Sequence, residues 1–353
     1  MAVTALFNRY CFEKKRKAMP KIDINQKFDD ETEVLYEEPI RRPVVRAVKV
    51  KRSHTAFLDD FIQHHSHETL GSQEEFTPTF HSSRHEREWI LNYLGPFYEN
   101  GFISDVIARV KGGKEANVYC CEAHESTGVE LLAAKVYRPR MFRNLRNDLR
   151  YRQGRAYLDP YGKEIQDHGA LHAIQKGTRI GKEMQHASWI EHEYKTMEIL
   201  FEAGADVPRP ITRGENTILM EYLGEAGLPA PTLFEVTLQQ KEARPLFDRL
   251  LHNVELMLEN HRIHGDFSAY NVLYWEGDVH IIDFPQVVDP RGNREAQEIF
   301  FRDVERLCQY FRRYGIKADS VSLARKMWED YSRKVDIPSS HEAEDLLMRL
   351  DED

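Results

Sequence analysis

The sequence has 353 residues, 41% hydrophobic and 30% charged, which suits one two-lobed domain with a tail and a packed core under a highly polar surface. Its formal net charge of −9 argues against attraction to nucleic acid by the whole-protein field, though not against a local basic patch. No stretch approaches the roughly 18 consecutive apolar residues of a membrane helix, and the opening MAVTALFNRYCFEKKRK puts its basic run after a short apolar stretch, the wrong order for a secretory signal.

Residues 1–82 carry scattered charges, several Pro and His, and no sustained periodicity, so a polar, largely disordered extension is expected there. Its basic knot, Lys14, Lys15, Arg16 and Lys17, reads as a solvated tail, with a nuclear signal as the alternative. His64, His65 and His67 could bind metal but have no accompanying cluster of Cys or carboxylates at ligand spacing, so they read as an ordinary polar stretch. Order is expected from Ser83, where Ser83 and Glu86 make a capping-box pattern and Ile90, Tyr93, Leu94 and Phe97 follow at helical spacing. Gly95-Pro96 is expected to kink or end that helix. Strand patterns come next at 106–110, 117–121 and 131–137, joined by turns at 111–115 and 124–128. They predict an antiparallel meander with a glycine turn at its first corner. Adjacent Cys120 and Cys121 should point to opposite faces of one strand. With Cys11 and Cys308 they have neither zinc nor disulfide spacing, which suits a reducing, cytoplasmic location.

A polar insert is read at 138–187. A helix is predicted from Ser188, with Glu191 completing a second capping-box pattern, an inward stripe of Ile190, Tyr194, Met197, Leu200 and Phe201, and a stop at Gly204. A strand at 217–222 leads into a mostly helical half, with stripes at Phe247, Leu250, Leu251, Val254 and Leu258 and at Phe300, Val304, Leu307 and Phe311. The expected division is an extension at 1–82, a first lobe with a leading helix at 83–223, a helical lobe at 224–335 and an acidic tail at 336–353. The expected fold class is α+β.

The strongest chemical signal is His264-Gly265-Asp266-Phe267-Ser268-Ala269-Tyr270-Asn271, running into an apolar strand, with Ile281-Ile282-Asp283 closing another. Alone, the first block also fits an Asp-containing turn joined to a hairpin. Together they match the needs of phosphoryl transfer from ATP. Asp266 would orient the acceptor hydroxyl and take its proton. Asp283 and Asn271 would hold Mg2+, a hard cation that takes oxygen ligands. Upstream, Gly112-Gly113-Lys114-Glu115 offers backbone amides to phosphates, although a plain hairpin has the same pattern. Lys135 stands inside an apolar strand, where a charge is costly unless paired; an edge lysine facing water is the bland alternative. Its expected partner is Glu193, on the inward helical stripe, rather than Glu191, which is off it.

These blocks, with Ala116-Asn117-Val118-Tyr119, Phe284-Pro285-Gln286 and Phe301-Arg302-Asp303-Val304, resemble the RIO family of atypical serine protein kinases and ATPases from about residue 101 to 316. The resemblance implies a two-lobed protein-kinase-like fold of the minimal RIO type, with a sheet-rich N-lobe, a helical C-lobe and no activation segment. It implies ATP in the cleft and Mg2+, with Mn2+ as the alternative ion. Nucleotide contacts would come from Gly112, Gly113, Lys114, Glu115, Val118, Lys135 and Glu193. A hinge at Met220, Glu221, Tyr222 and Leu223 would meet adenine through backbone groups of Glu221 and Leu223. Asp266 would be catalytic; Asp283 would bind metal with Asn271 and could itself be phosphorylated transiently. Asp303 would be a buried structural acid. The implied activity is serine autophosphorylation and, in several members, an ATPase role in small-subunit ribosome maturation.

Two other readings stay open on the residues alone. A small-molecule phosphotransferase of the aminoglycoside or choline kinase type shares the His-Gly-Asp block and the strand Asp. A slow, nucleotide-gated assembly factor would use the same site as a switch. Between Arg138 and Arg155 stand seven arginines, 138, 140, 143, 146, 150, 152 and 155, against one acid, Asp148. This segment is either a solvated loop or a contact for RNA, a ribosomal particle or an acidic protein.

Overall fold

The computed structural model describes residues 76–113, 115–138, 151 and 153–335. Lys114, most of the arginine segment, the first 75 residues and the 336–353 tail lie outside the described residues. Among the described residues, no helix is long and apolar enough to cross a membrane.

Helix α1 (Arg84–Glu99) starts as its sequence predicts: Ser83 Oγ accepts from the Glu86 N–H at 3.4 Å. The capping box is only half formed, because the Glu86 carboxylate turns to Arg109 Nη1 at 3.2 Å and the Tyr119 hydroxyl at 3.0 Å. The helix does not end at Gly95-Pro96 but continues to Glu99. A proline inside a helix costs about 3 kcal/mol. Here Ile90, Leu94 and Phe97 are buried against the sheet, and each such side chain contributes roughly 1.5–3 kcal/mol.

Strands β1 (Ile103–Gly112), β2 (Ala116–Ala123), β3 (Leu131–Tyr137), β4 (Pro210–Arg213) and β5 (Thr217–Glu221) form an antiparallel sheet in the order β1-β2-β3-β5-β4. Side chains alternate between its two faces. Cys121, Leu132, Ala134, Val136 and Leu219 pack on the α1 side. Cys120, Ala133, Tyr137 and Met220 pack on the other, together with Trp189, Ile190 and Tyr194 of a long helix. The neighbouring cysteines therefore do point apart, both free and both buried.

That long helix departs from its sequence pattern. After α2 (His168–Gln175), helix α3 runs from Arg179 to Glu202, capped by Thr178, whose hydroxyl accepts from the Gly181 N–H at 3.0 Å. Ser188 is thus inside the helix and accepts from the Leu158 N–H at 2.8 Å. Glu191 is no cap residue: it is buried and accepts from Arg213 Nη2 at 2.8 Å. A Ser-x-x-Glu spacing used for two tertiary contacts looks the same in sequence as a cap. Residues 168–187, read as part of a polar insert, are therefore mostly helical. A Cβ on Gly181 would lie 2.0 Å from the Ala173 carbonyl oxygen, so only glycine lets α2 and α3 approach this closely. The helix stops as expected, with the Gly204 and Ala205 N–H groups closing on the Phe201 and Leu200 carbonyls at 3.0 and 2.9 Å. Phe201 itself, placed on the inward stripe by its spacing, is exposed.

A small ribbon, β6 (Gly224–Glu225) and β7 (Leu228–Pro229), leads to the helical half. There α4 (Gln240–Glu259), the β8 (Val272–Trp275) and β9 (Asp278–Ile281) hairpin, α5 (Ala296–Arg312) and α6 (Ser320–Val335) pack together. Both predicted stripes are inward: Phe247, Leu250, Val254 and Leu258 on α4, with Leu251 partly buried beside them, and Phe300, Val304, Leu307 and Phe311 on α5. One continuous apolar cluster joins this half to the α3 face of the sheet. From Asp283 the chain enters α5 with no intervening helix or strand, pinned by the Ile263–Val288 bridge. The architecture is the expected α+β, two-lobed, kinase-like fold.

Candidate active site

Alternation along β3 puts Lys135 on the same face as Ala133 and Tyr137. Its Nζ lies 2.7 Å from Glu193 Oε1 and 2.6 Å from Asp283 Oδ1, and 5.2 Å from the centre of the Tyr137 ring. The other Glu193 oxygen accepts from the Tyr137 hydroxyl. Glu193, not Glu191, is thus the helix carboxylate beside Lys135. Burial opposes the lysine charge, but Asp283 and Glu193 outweigh it and hold the ammonium well above the ordinary lysine value. At Asp283 burial works against the carboxylate and Lys135 overrides it, leaving the group below the usual range. Burial first, and Glu193 second, push the Tyr137 phenol far up.

Asp283 lies just past β9 with φ 74°. Left-handed backbone costs an ordinary residue roughly 1–2 kcal/mol, and Asp tolerates it better than most. Such outliers concentrate at ligand sites and switches.

The loop carrying Asp266 is held from several sides. His264 Nε2 donates to the Ile282 carbonyl at 3.1 Å and its Nδ1 accepts from the Asp266 N–H at 3.3 Å, the bonding pattern of a neutral imidazole. Gly265 has φ 83°, and a Cβ there would lie 2.3 Å from the Gln286 carbonyl oxygen, so a side chain is excluded twice over. Asp303 on α5 is buried and accepts from the Gly265 N–H at 2.7 Å and the Phe267 N–H at 3.3 Å. Burial raises its pKa. Arg302 donates to the Gly265 carbonyl and, at 3.2 Å, to the Tyr151 hydroxyl.

Asn271 is buried in a short 3-10 turn, and its Nδ2 donates to the Asp266 carbonyl at 2.9 Å and to Asp266 Oδ2 at 3.2 Å. With the amide nitrogen so committed, the amide oxygen is the atom left for a cation. Asp266 Oδ1 meets Arg306 Nη1 at 2.7 Å. Among the described residues no group of three or more His, Cys, Asp or Glu is arranged to hold a metal alone. Asp283 and Asn271 offer two oxygens, which suits Mg2+, an ion that usually takes one or two protein carboxylates and completes its shell with phosphates and water.

The remaining sequence candidates lie around this centre. Val118 sits across from Lys135 in the β2–β3 register. Gly112, Gly113 and Glu115 form the exposed corner between β1 and β2, closed by the Gly113 N–H on the Ala116 carbonyl at 2.9 Å. Lys114 is outside the described residues. At the hinge, Met220 is buried, the Glu221 N–H donates to the Arg209 carbonyl at 2.8 Å, and the Leu223 carbonyl accepts from the Ala230 N–H at 2.8 Å. Of the basic insert, Arg138 binds Asn117 Oδ1 at 3.0 Å and Arg155 donates to the Val287 carbonyl.

Sequence reading missed Tyr137, Arg302 and Arg306. Tyr137 had a signal, since it is two residues from Lys135 on a strand and shares its face. Arg302 and Arg306 share only a four-residue helical spacing, which says nothing of what that face meets.

A sheet lysine held by a helix glutamate, above a loop with Asp, Asn and a second Asp, defines the protein-kinase-like class. A family model described as RIO domain matches residues 117–324, and the chain belongs to the RIO family. It is 31% identical over 274 residues to the serine/threonine-protein kinase RIO1 of Chaetomium thermophilum, covering 74% of this chain and 49% of that protein. It is 28% identical over 239 residues to the Caenorhabditis elegans protein of that name, covering 65% and 41%. It is 29% identical over 231 residues to the RIO-type serine/threonine-protein kinase Rio1 of Haloferax volcanii, covering 64% and 69%. The chain thus spans about half or less of the fungal and nematode relatives.

Proposed function

We propose that this chain is an ATP-dependent phosphotransferase, acting as a RIO-like serine protein kinase, an ATPase or both. One observation carries the reading: Lys135 of the sheet bonds at once to Glu193 of α3, at 2.7 Å, and to Asp283 of the helical half, at 2.6 Å. A buried cation between these carboxylates is where a triphosphate and its metal would be drawn in. Lys135 would turn its charge to the phosphates while Glu193 keeps it oriented. Asp283 and the Asn271 oxygen would hold Mg2+, or Mn2+, which would supply positive charge against the phosphates. Asp266 would orient the acceptor hydroxyl and accept its proton. Because the Glu221 N–H and Leu223 carbonyl are already bonded, adenine would use the Glu221 carbonyl and the Leu223 N–H. The β1–β2 corner at Gly112, Gly113 and Glu115, with Lys114, would cover the phosphates.

The relatives' names, serine/threonine-protein kinase, support a hydroxyl on protein as acceptor. A role in ribosome small-subunit maturation, with the arginine segment as the contact for RNA or an acidic protein, follows from the family resemblance and the charge pattern. The test is labelling from γ-labelled ATP with Mg2+ or Mn2+, offering the chain itself, ribosomal particles and a small-metabolite panel. Label on protein serine, or released phosphate, is the expected result. Transfer to a metabolite alone would move the assignment to the aminoglycoside or choline kinase type. No turnover with either ion overturns the proposal.

A further inference from the structure

Two arginines one helical turn apart on α5 reach the catalytic loop, and they are used differently. Arg302 is spent on the loop: it donates to the Gly265 carbonyl and the Tyr151 hydroxyl, and lies 3.6 Å from Asp303. Arg306 is more open, 38% exposed, and bonds through Nη1 to Oδ1 of Asp266, which is 46% exposed. Oδ2 of the same carboxylate is taken by Asn271. A guanidinium carries five N–H donors in a planar fork that suits carboxylates. Among the described residues, the bond to Asp266 is the one that Arg306 makes.

This arrangement bears on which hydroxyl can reach Asp266. A bare carboxylate at the acceptor position repels an acceptor that carries negative charge. Paired with Arg306, Asp266 presents no net charge, and the unspent donors of the fork stand beside the point where the hydroxyl must dock. An acceptor with its own carboxylate can take those donors without ejecting Arg306 from Asp266. A neutral acceptor gains nothing from them.

We infer that Arg306 is a specificity-determining residue that directs phosphoryl transfer to a serine with carboxylates close by in an acidic peptide. The inference rests on the phosphotransferase reading and adds the acceptor class to it. In the step, the serine Oγ attacks the γ-phosphorus of ATP and the bond from that phosphorus to the β–γ bridging oxygen breaks. ADP leaves with the electron pair of that bond, and the serine proton passes to Asp266. The acceptor's carboxylate stays on Arg306. The chain's own sequence holds a segment of this kind, Ser339-Ser340-His341-Glu342-Ala343-Glu344-Asp345, following α6, which itself packs on α5.

The test uses the full chain, MgATP and two peptides spanning residues 336–347. One has the native sequence; the other carries Glu342→Gln, Glu344→Gln and Asp345→Asn. The wild type is expected to prefer the native peptide by about tenfold in kcat/KM, the size of one well-placed charge contact, with the difference carried by KM. Arg306→Ala should equalise the two peptides, and Arg306→Lys should keep part of the preference. Equal kcat/KM in the wild type, or a preference that survives Arg306→Ala, overturns the inference. Loss of transfer to both peptides in the Ala and Lys variants alike would make Arg306 a positioning residue for Asp266 and also overturn it. A wild type that hydrolyses ATP but phosphorylates neither peptide overturns the acceptor class while leaving the ATP chemistry standing. A wild type with no ATP turnover at all overturns the phosphotransferase reading instead.

Discussion

On the sheet side of the cleft the side chains of Lys135 and Glu193 are 13% and 1% exposed, with Tyr137 buried beside them. On the loop side those of Asp266 and Asp283 are 46% and 42% exposed. The dry side has every charge matched at short range, since an unmatched charge there would be very costly. The open side has carboxylates that water and ligands can reach, each paired with one cation, Arg306 or Lys135. The difference separates a part that is held by the fold from a part that is poised for exchange, and substitutions on the two sides should fail in different ways.

The sharpest contrast comes from Asp266→Asn. Phosphoryl transfer measured in single turnover should fall by about 10²- to 10⁴-fold, with MgATP affinity and thermal stability little changed, because the group is half open to water. Transfer at the wild-type rate would remove Asp266 from the reaction.

Lys135→Met acts on the dry side and should therefore cost stability as well as nucleotide binding. Removing one partner of a buried pair leaves the other uncompensated, typically at about 3–5 kcal/mol. Urea unfolding reads this directly. A variant as stable as the wild type would mean that the Glu193 carboxylate is not held by Lys135.

Asp303→Ala tests whether the open side is supported from beneath. It strands the N–H groups of Gly265 and Phe267, at about 1–3 kcal/mol for a buried group left unmet. Amide exchange at these two residues should quicken, and transfer should fall with it. Unchanged exchange would show that Asp303 does not hold the loop.

The smallest effect is a pH dependence on α3, next to Glu193. Burial, aided by Arg155, pushes His192 down to about 3, and its Nε2–H donates to the Ala156 carbonyl at 2.6 Å. An unfolded imidazole takes its proton near pH 6.5. Between these values the unfolded state binds more protons, so this contribution is full above pH 6.5 and is lost as pH falls. Roughly 1.5 kcal/mol should disappear between pH 6.5 and 5. Other buried histidines add to the slope, so the reading is the difference between wild type and His192→Gln. Parallel stability curves would show that His192 protonates freely in the fold.

Contiguity explains how much was legible beforehand. His264 to Asn271 is one short segment, and its spacing alone implies a turn that brings Asp266 and Asn271 together. Strand alternation put Lys135 on one face, and the helical stripe put Glu193 inward. The α3 start was misread because Ser188 and Glu191 satisfy a local capping spacing while serving Leu158 and Arg213. The helix does not end at Pro96 for a related reason: burial of α1 against the sheet outweighs a local defect.

The sequence by itself determined most of the strands and helices, the apolar faces of α1, α4 and α5, and which segment carries the acid and amide of the loop. These follow from periodicity and from bonds within a few residues. Only the tertiary structure decided that Lys135 meets Asp283, 148 residues away, that Tyr137 caps Glu193, and that Arg306 closes on Asp266 across 40 residues. Such contacts depend on how whole elements pack, and packing is set by the summed burial of faces rather than by the spacing of the residues that finally touch.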